Sequence, residues 1–265
     1  MLECVVNISE GADLDLVATI AAPAGADLLD VHSDPHHHRS VLTMVGEDAP
    51  RAVTTLAVER LDLTAHHGVH PRIGVVDVVP FVPLGDASMG DAVAARDRYC
   101  RWAAAELGLP CFVYGPERTL PEVRRGAFKS LRPDFGPDRP HRGAGSVAVG
   151  AREVLVAYNV WLAEADLTTA RRIAAEVRRP GLRALGLQVG DRVQVSMNLV
   201  SPRSVGPAEA TDLIAQRARV AGCELVGLVP RDVLSAVAPQ RWGALDLAED
   251  KTIETRLERR ANLVP

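Results

Sequence analysis

The sequence predicts an α/β (α+β) protein of two split-βαβ subdomains, each a mixed sheet with helices on one face, with a ligand cleft between them. Three observations carry this expectation. The order strand, helix, strand, strand, helix, strand is readable twice along the chain. The 265 residues are 47% hydrophobic, enough material for two cores of ordinary size. No apolar run is long enough to span a bilayer, so the apolar residues belong to packed strands and amphipathic helices.

In the first half, residues 3–8 are short, apolar and closed by Ser9-Glu10-Gly11, the pattern of a strand. Residues 13–22 have helical apolar spacing, with Asp13 placed to cap. Residues 28–31 and 41–45 read as the next two strands. Residues 48–61 read as a helix with Asp48 as N-cap and Pro50 in its first turn. Residues 73–82 are β-branched and apolar almost throughout, which predicts a buried strand. Residues 89–107 form a long helix stopped by Gly108, and 111–114 another strand. Residues 115–150 are rich in Pro, Gly and Arg, with a short helix near 120–126. Long irregular segments in compact proteins are usually functional or linkers.

The second half repeats the grammar. Residues 154–162 are a strand, and 167–178 a helix opened by Asp166. Residues 182–189 and 193–200 are strands joined by the turn Gly190-Asp191. A helix over 207–221, a strand over 225–229 and a short helix over 231–237 follow. A charged surface helix occupies the stretch from residue 248 onward. The subdomains are accordingly placed at 1–153 and 154–265.

Composition narrows the function classes. The formal charge is −4 and aromatics are 4%, which argues against phosphate-driven or stacking-driven nucleic-acid binding. The four cysteines lack metal-knuckle spacing, and reduced thiols fit a cytosolic protein. The N-terminus lacks the pattern of a signal peptide, so the expected location is cytoplasmic, with no membrane partner.

The densest polar cluster is His66-His67-Gly68-Val69-His70-Pro71-Arg72, a loop leading into the buried strand. Such loops favour catalytic groups, and histidine moves protons near neutral pH. A metal reading competes, since His66 and His70 are four apart and His36-His37-His38 lies upstream. Gly68 and Pro71 oppose the helix that such a motif needs, and no Glu lies between the two histidines; no metal is expected. Arg39 has the forked donors to clamp a carboxylate. Gln194, Ser196 and Asn198 alternate with apolar residues and so share one strand face, either facing solvent or lining a cleft.

These residues resemble the glutamate formimidoyltransferase family. Glu3-Cys4-Val5 with Asn7-Ile8-Ser9-Glu10-Gly11 is similar to the family's opening. So are Leu28-Leu29-Asp30-Val31, His38-Arg39-Ser40-Val41 and, above all, His67-Gly68-Val69-His70-Pro71-Arg72-Ile73-Gly74. Asp134-Phe135-Gly136-Pro137, Ala157-Tyr158-Asn159-Val160 and Gln194-Val195-Ser196-Met197-Asn198-Leu199 continue the match in family order. The resemblance implies two α/β subdomains and a folate-dependent transferase of one-carbon metabolism and histidine degradation. It would move a formimino or formyl group between N-formimino-glutamate and tetrahydrofolate, the co-substrate. The family's catalytic histidine matches His70. Its folate-contacting stretch matches residues 136–145, and Asp134, Gly136, Pro137, Gly143 and Gly145 are taken with it. Arg39, His32, Arg72 and the Gln194/Ser196/Asn198 row are assigned to substrate or folate binding. Two positions depart from the family: His32 replaces an acid, and His38 replaces an asparagine. A homodimer is expected. A folate-binding homologue without catalysis and a metal-dependent hydrolase remain the alternatives.

Overall fold

The computed structural model describes residues 1–66 and 72–262. The chain divides into two compact units, Met1–Glu153 and Val154–Pro265. The first unit contains β1 (Leu2–Ile8), α1 (Leu14–Ala21), β2 (Leu28–Asp34), β3 (Arg39–Val45), α2 (Asp48–Arg60) and β4 (Val76–Pro83). It continues with α3 (Met89–Leu107), β5 (Cys111–Tyr114), α4 (Leu120–Gly126) and β6 (Val147–Ala151).

Among the described residues these strands form one six-stranded sheet in the order β2-β3-β1-β4-β6-β5. β1 runs antiparallel to β3 and β4, whereas β4, β6 and β5 are mutually parallel. The helices start and stop where local chemistry says they should. Asp13 Oδ1 accepts from Leu16 N at 2.9 Å and opens α1. Ser88 and Asp91 form a reciprocal capping box at the start of α3, and Gly108 ends it at φ 59°. At α2 the N-cap is Glu47, and Asp48 sits one position inside the helix. There its carboxylate still faces the positive end of the helix dipole.

Alternation along the strands sorts the core. Cys4, Val6, Ile8, Leu42, Met44 and Phe81 face α1, α2 and α3. Val78, Phe112, Tyr114 and Ala148 point to the other side, where they pack with Val123 of α4. The expectation of helices on one face therefore needs a correction here. Parallel strands need cover on both faces, and α4 supplies it. Val147-Ala148-Val149-Gly150-Ala151 reads as part of a Gly-rich loop, but it forms strand β6. It is nevertheless central, bonded to both β4 and β5.

The second unit contains β7 (Val156–Leu162), α5 (Leu167–Val177), β8 (Leu182–Val189), β9 (Arg192–Leu199), α6 (Pro207–Ala215), β10 (Val220–Val226), α7 (Arg231–Ser235) and α8 (Ile253–Ala261). Its four strands run in the order β10-β7-β9-β8, antiparallel throughout. The mixed sheet thus belongs to the first unit alone. In a split-βαβ unit each crossover returns parallel but leaves a gap, and the gap is filled by an antiparallel strand. The first unit adds a parallel pair beyond that; the second adds nothing. Helix α6 ends six residues before the expected Ala221, because Val220 begins pairing with Leu162.

Candidate active site

The turn between β2 and β3 is built by one carboxylate. Asp34 Oδ1 accepts from His36 N at 2.8 Å and His37 N at 2.9 Å, and Oδ2 meets the His37 ring. This is an Asx turn. Burial alone would raise the Asp34 carboxyl, but the His37 ring and backbone N–H groups hold it well below the usual carboxylate range. Its stabilising effect is therefore present above about pH 4, the unfolded value, and is lost as pH falls through the lower folded value. Asp34→Asn is expected to cost about 1–3 kcal/mol at pH 7. Unfolding titrations of both proteins should show that difference shrinking as the medium is acidified toward the folded value.

Four residues form a charged cluster beside this turn. Arg39 opens β3 opposite Asp34 in register. Arg72 precedes β4, Arg124 comes from the last turn of α4, and Asp77 comes from β4. Asp77 is buried and accepts from Ile73 N at 2.8 Å and from Arg124 Nη2. Burial lowers the pKa of both Arg39 and Arg72; Asp77 opposes that shift, and Arg124 adds to it. Arg39 and Arg72 thus share one electrostatic neighbourhood. Asp34 also acts on Arg39, so three guanidinium groups stand against the carboxylates of Asp77 and Asp34 and the cluster keeps an excess of positive charge.

His32 lies on β2, two residues before Asp34 and opposite Val41. The period of two places it on the same sheet face as Arg39 and Asn7, the face turned away from α1–α3. His70, with residues 67–71, lies outside the described residues. Its flanks are described. His66 ends the 3-10 turn Leu63–Ala65, and His38 Nδ1 and His66 Nε2 are 2.7 Å apart. Arg72 Nη2 donates to His37 O at 3.0 Å and Nη1 to His38 O at 3.3 Å.

The stretch 134–145 is anchored at two places. Asp134 accepts from Val113 N at 2.8 Å and from Arg118 Nη2 at 2.7 Å, and Gly136 adopts φ 86° beside Leu109. Pro137 is exposed. Further on, Gly143 O accepts from Leu63 N at 2.7 Å. Gly145 at φ 73° bridges to Gly74, and a Cβ there would meet Ile73 O at 2.4 Å. Glycine is required at this close approach. Gly143 and Gly145 are thereby fixed next to Leu63 and Ile73, near the chain that flanks residues 67–71. Asp134 and Gly136 are fixed to the start of β5.

In the second unit, Gln194, Ser196 and Asn198 do share one face of β9, away from the core that takes Val193, Val195, Met197 and Leu199. Their cross-strand neighbours are Trp161, Asn159 and Ala157 on β7, and Leu187, Leu185 and Arg183 on β8. Along this row Asn198 is exposed and Ser196 half-buried, whereas Gln194 is buried. Gln194 is only 1% exposed, and its Oε1 has no hydrogen-bond partner among the described residues. A buried acceptor without a donor is costly. Arg192 lies over the Trp161 ring at 4.2 Å.

Sequence reasoning did not single out Asp77 and Arg124 for the site. Asp77 left a signal, as a lone acid inside an apolar strand. Among the described residues no three His, Cys, Asp or Glu side chains are grouped to hold a metal. No helix among them is long and apolar enough to cross a membrane.

Residues 1–152 match the family described as "Formiminotransferase domain, N-terminal subdomain". A glutamate formimidoyltransferase of Streptococcus pyogenes is 38% identical over 274 aligned positions, covering 90% of this chain and 92% of that protein. The glutamate formimidoyltransferase of Thermoplasma acidophilum is 35% identical and covered to 99%, as is this chain. The formimidoyltransferase-cyclodeaminase of Dictyostelium discoideum is 33% identical over 90% of this chain and 52% of its own length. Fold and likeness together define an enzyme of the transferase class. The chain belongs to the formiminotransferase family.

Proposed function

We propose that this transferase moves a formimino group between N-formimino-glutamate and tetrahydrofolate, with His70 as general acid and base. The observation that carries the reading is the 38% identity to a glutamate formimidoyltransferase across 92% of its length. The chemistry is balanced by one proton shuttle. An amine of tetrahydrofolate attacks the amidine carbon, and a C–N bond forms while His70 takes the amine proton. The tetrahedral intermediate then collapses. The C–N bond to glutamate breaks as His70 returns the proton to the departing nitrogen.

The cluster at Arg39, Arg72 and Arg124 suits this work, because both substrates carry carboxylates and guanidinium forks bind them bidentately. Gln194 Oε1 suits a ligand N–H donor, and Ser196 and Asn198 extend the same row. Folate contacts are assigned to Asp134, Gly136, Pro137, Gly143 and Gly145, and His32 to the substrate side. Each unit is taken as one formiminotransferase subdomain. Calorimetry tests the binding half of this reading. Tetrahydrofolate and N-formimino-glutamate should each give saturable heats, and Arg39→Ala should weaken N-formimino-glutamate by about tenfold or more. Absence of folate binding to the unmodified protein contradicts it.

A further inference from the structure

The loop that follows β1 is bonded to both chain segments that carry Arg39 and Arg72. Gly11 lies against the base of the β2–β3 turn. A Cβ there would meet Arg39 N and Asp34 O at 2.5 Å and Arg39 O at 2.6 Å, all of them backbone atoms. No side chain fits in that gap, so glycine is required by the close approach itself. The residue after Arg39 ties the same loop a second time. Ser40 is fully buried, and its Oγ donates to Glu10 O at 2.6 Å. That leaves its lone pair to accept from Ser33 Oγ at 2.8 Å. Ser9 reaches the other segment. Its Oγ donates to Gly74 O at 2.8 Å and its N–H to Val75 O at 2.7 Å, two and three residues beyond Arg72. Between these anchors the loop is held in shape by its own carboxylate. Glu10 Oε1 accepts from the N–H groups of Gly11, Ala12 and Asp13 at 2.8, 2.8 and 3.0 Å.

We propose that Ser9-Glu10-Gly11 is a backbone bracket that sets the spacing of Arg39 and Arg72, and with it the grip of the arginine cluster on a carboxylate of the donor substrate. The proposal rests on the assignment of those arginines to carboxylate binding above. Ser9, Glu10 and Gly11 are positioning residues; they act through the backbone on either side of the cluster. Binding a carboxylate through guanidinium forks depends on the direction of each fork, so a displaced arm weakens binding before it disturbs proton transfer.

Calorimetry with N-formimino-glutamate reads the bracket. In Gly11→Ala the added methyl must push the Arg39 backbone aside, and donor binding should weaken about tenfold. In kinetics the donor KM should rise by a similar factor while kcat stays within about twofold of wild type. Ser40→Ala adds no atom and removes only the hydroxyl that donates to Glu10 O. It should weaken binding about threefold, and it carries the test if Gly11→Ala does not fold. A double-mutant cycle separates positioning from general loosening. In an Arg39→Ala background neither substitution should weaken donor binding further. Ser9→Ala in an Arg72→Ala background reads the second arm in the same way. Full, additive losses in these backgrounds overturn the proposal, as does unchanged donor affinity in the single variants. Absence of donor binding to the unmodified protein instead overturns the assignment of the arginines, and the role of the bracket with it.

Discussion

His70→Ala is expected to lower kcat for formimino transfer by a factor of about 10²–10⁴, the usual worth of a positioned acid/base, with the thermal midpoint staying close to wild type. One group must both accept and return a proton, and an imidazole is near half-protonated at working pH. Removing it leaves the substrates bound but the tetrahedral intermediate without a proton path. The loss should therefore fall on kcat more than on KM. Exogenous imidazole should restore part of the rate in the alanine variant, a result that a packing role for His70 does not produce. Turnover near wild type in His70→Ala places the acid/base elsewhere.

Asp77→Asn should destabilise the first unit by about 3–5 kcal/mol, as expected when one partner of a buried pair loses its charge. The substitution is nearly isosteric and keeps an oxygen for Ile73 N, so the loss reports electrostatics and not volume. Asp77 is 2% exposed and bonds Arg124, and its charge acts on Arg39 and Arg72. Without it the three guanidinium groups repel one another in a half-buried setting. The midpoint of urea unfolding measures the effect. A change below about 0.5 kcal/mol, the range of ordinary surface substitutions, contradicts the cluster as drawn.

Much of the fold was legible because its signals are local. The caps at Asp13 and Asp166, the stop at Gly108 and the period-two strands of the second unit are each decided within a few residues. Strand β6 was not legible, since Gly, Ala and Val in a Gly-rich run look like a loop until β4 and β5 accept it between them. The end of α6 was obscured in the same way, because residues 216–221 continue a helical composition until pairing with β7 overrides it. The cover of α4 on the second sheet face depends on parallel pairing, which no local pattern announces.

The site divides along the same line. Arg39, the loop before β4 and the polar row on β9 were visible as residue types in suggestive places. Their company was not. Asp77 and Arg124 are 47 residues apart and meet only because β4 and α4 lie against each other. His38 and His66 are 28 apart, and neither histidine's neighbours reveal the bond. The orphaned oxygen of Gln194 required knowledge of what covers it. Long-range pairing is the information that a linear pattern lacks.

Formimino transfer itself is tested most directly by incubating the purified protein with tetrahydrofolate and N-formimino-glutamate and following the formimino- or methenyl-folate product by its absorbance, with N-formyl-glutamate as the second donor. The expected result is enzyme-dependent, stoichiometric formation of folate product from the formimino donor, lost in His70→Ala. Saturable folate binding with no product from either donor would contradict the assignment and leave a ligand-binding member of the family.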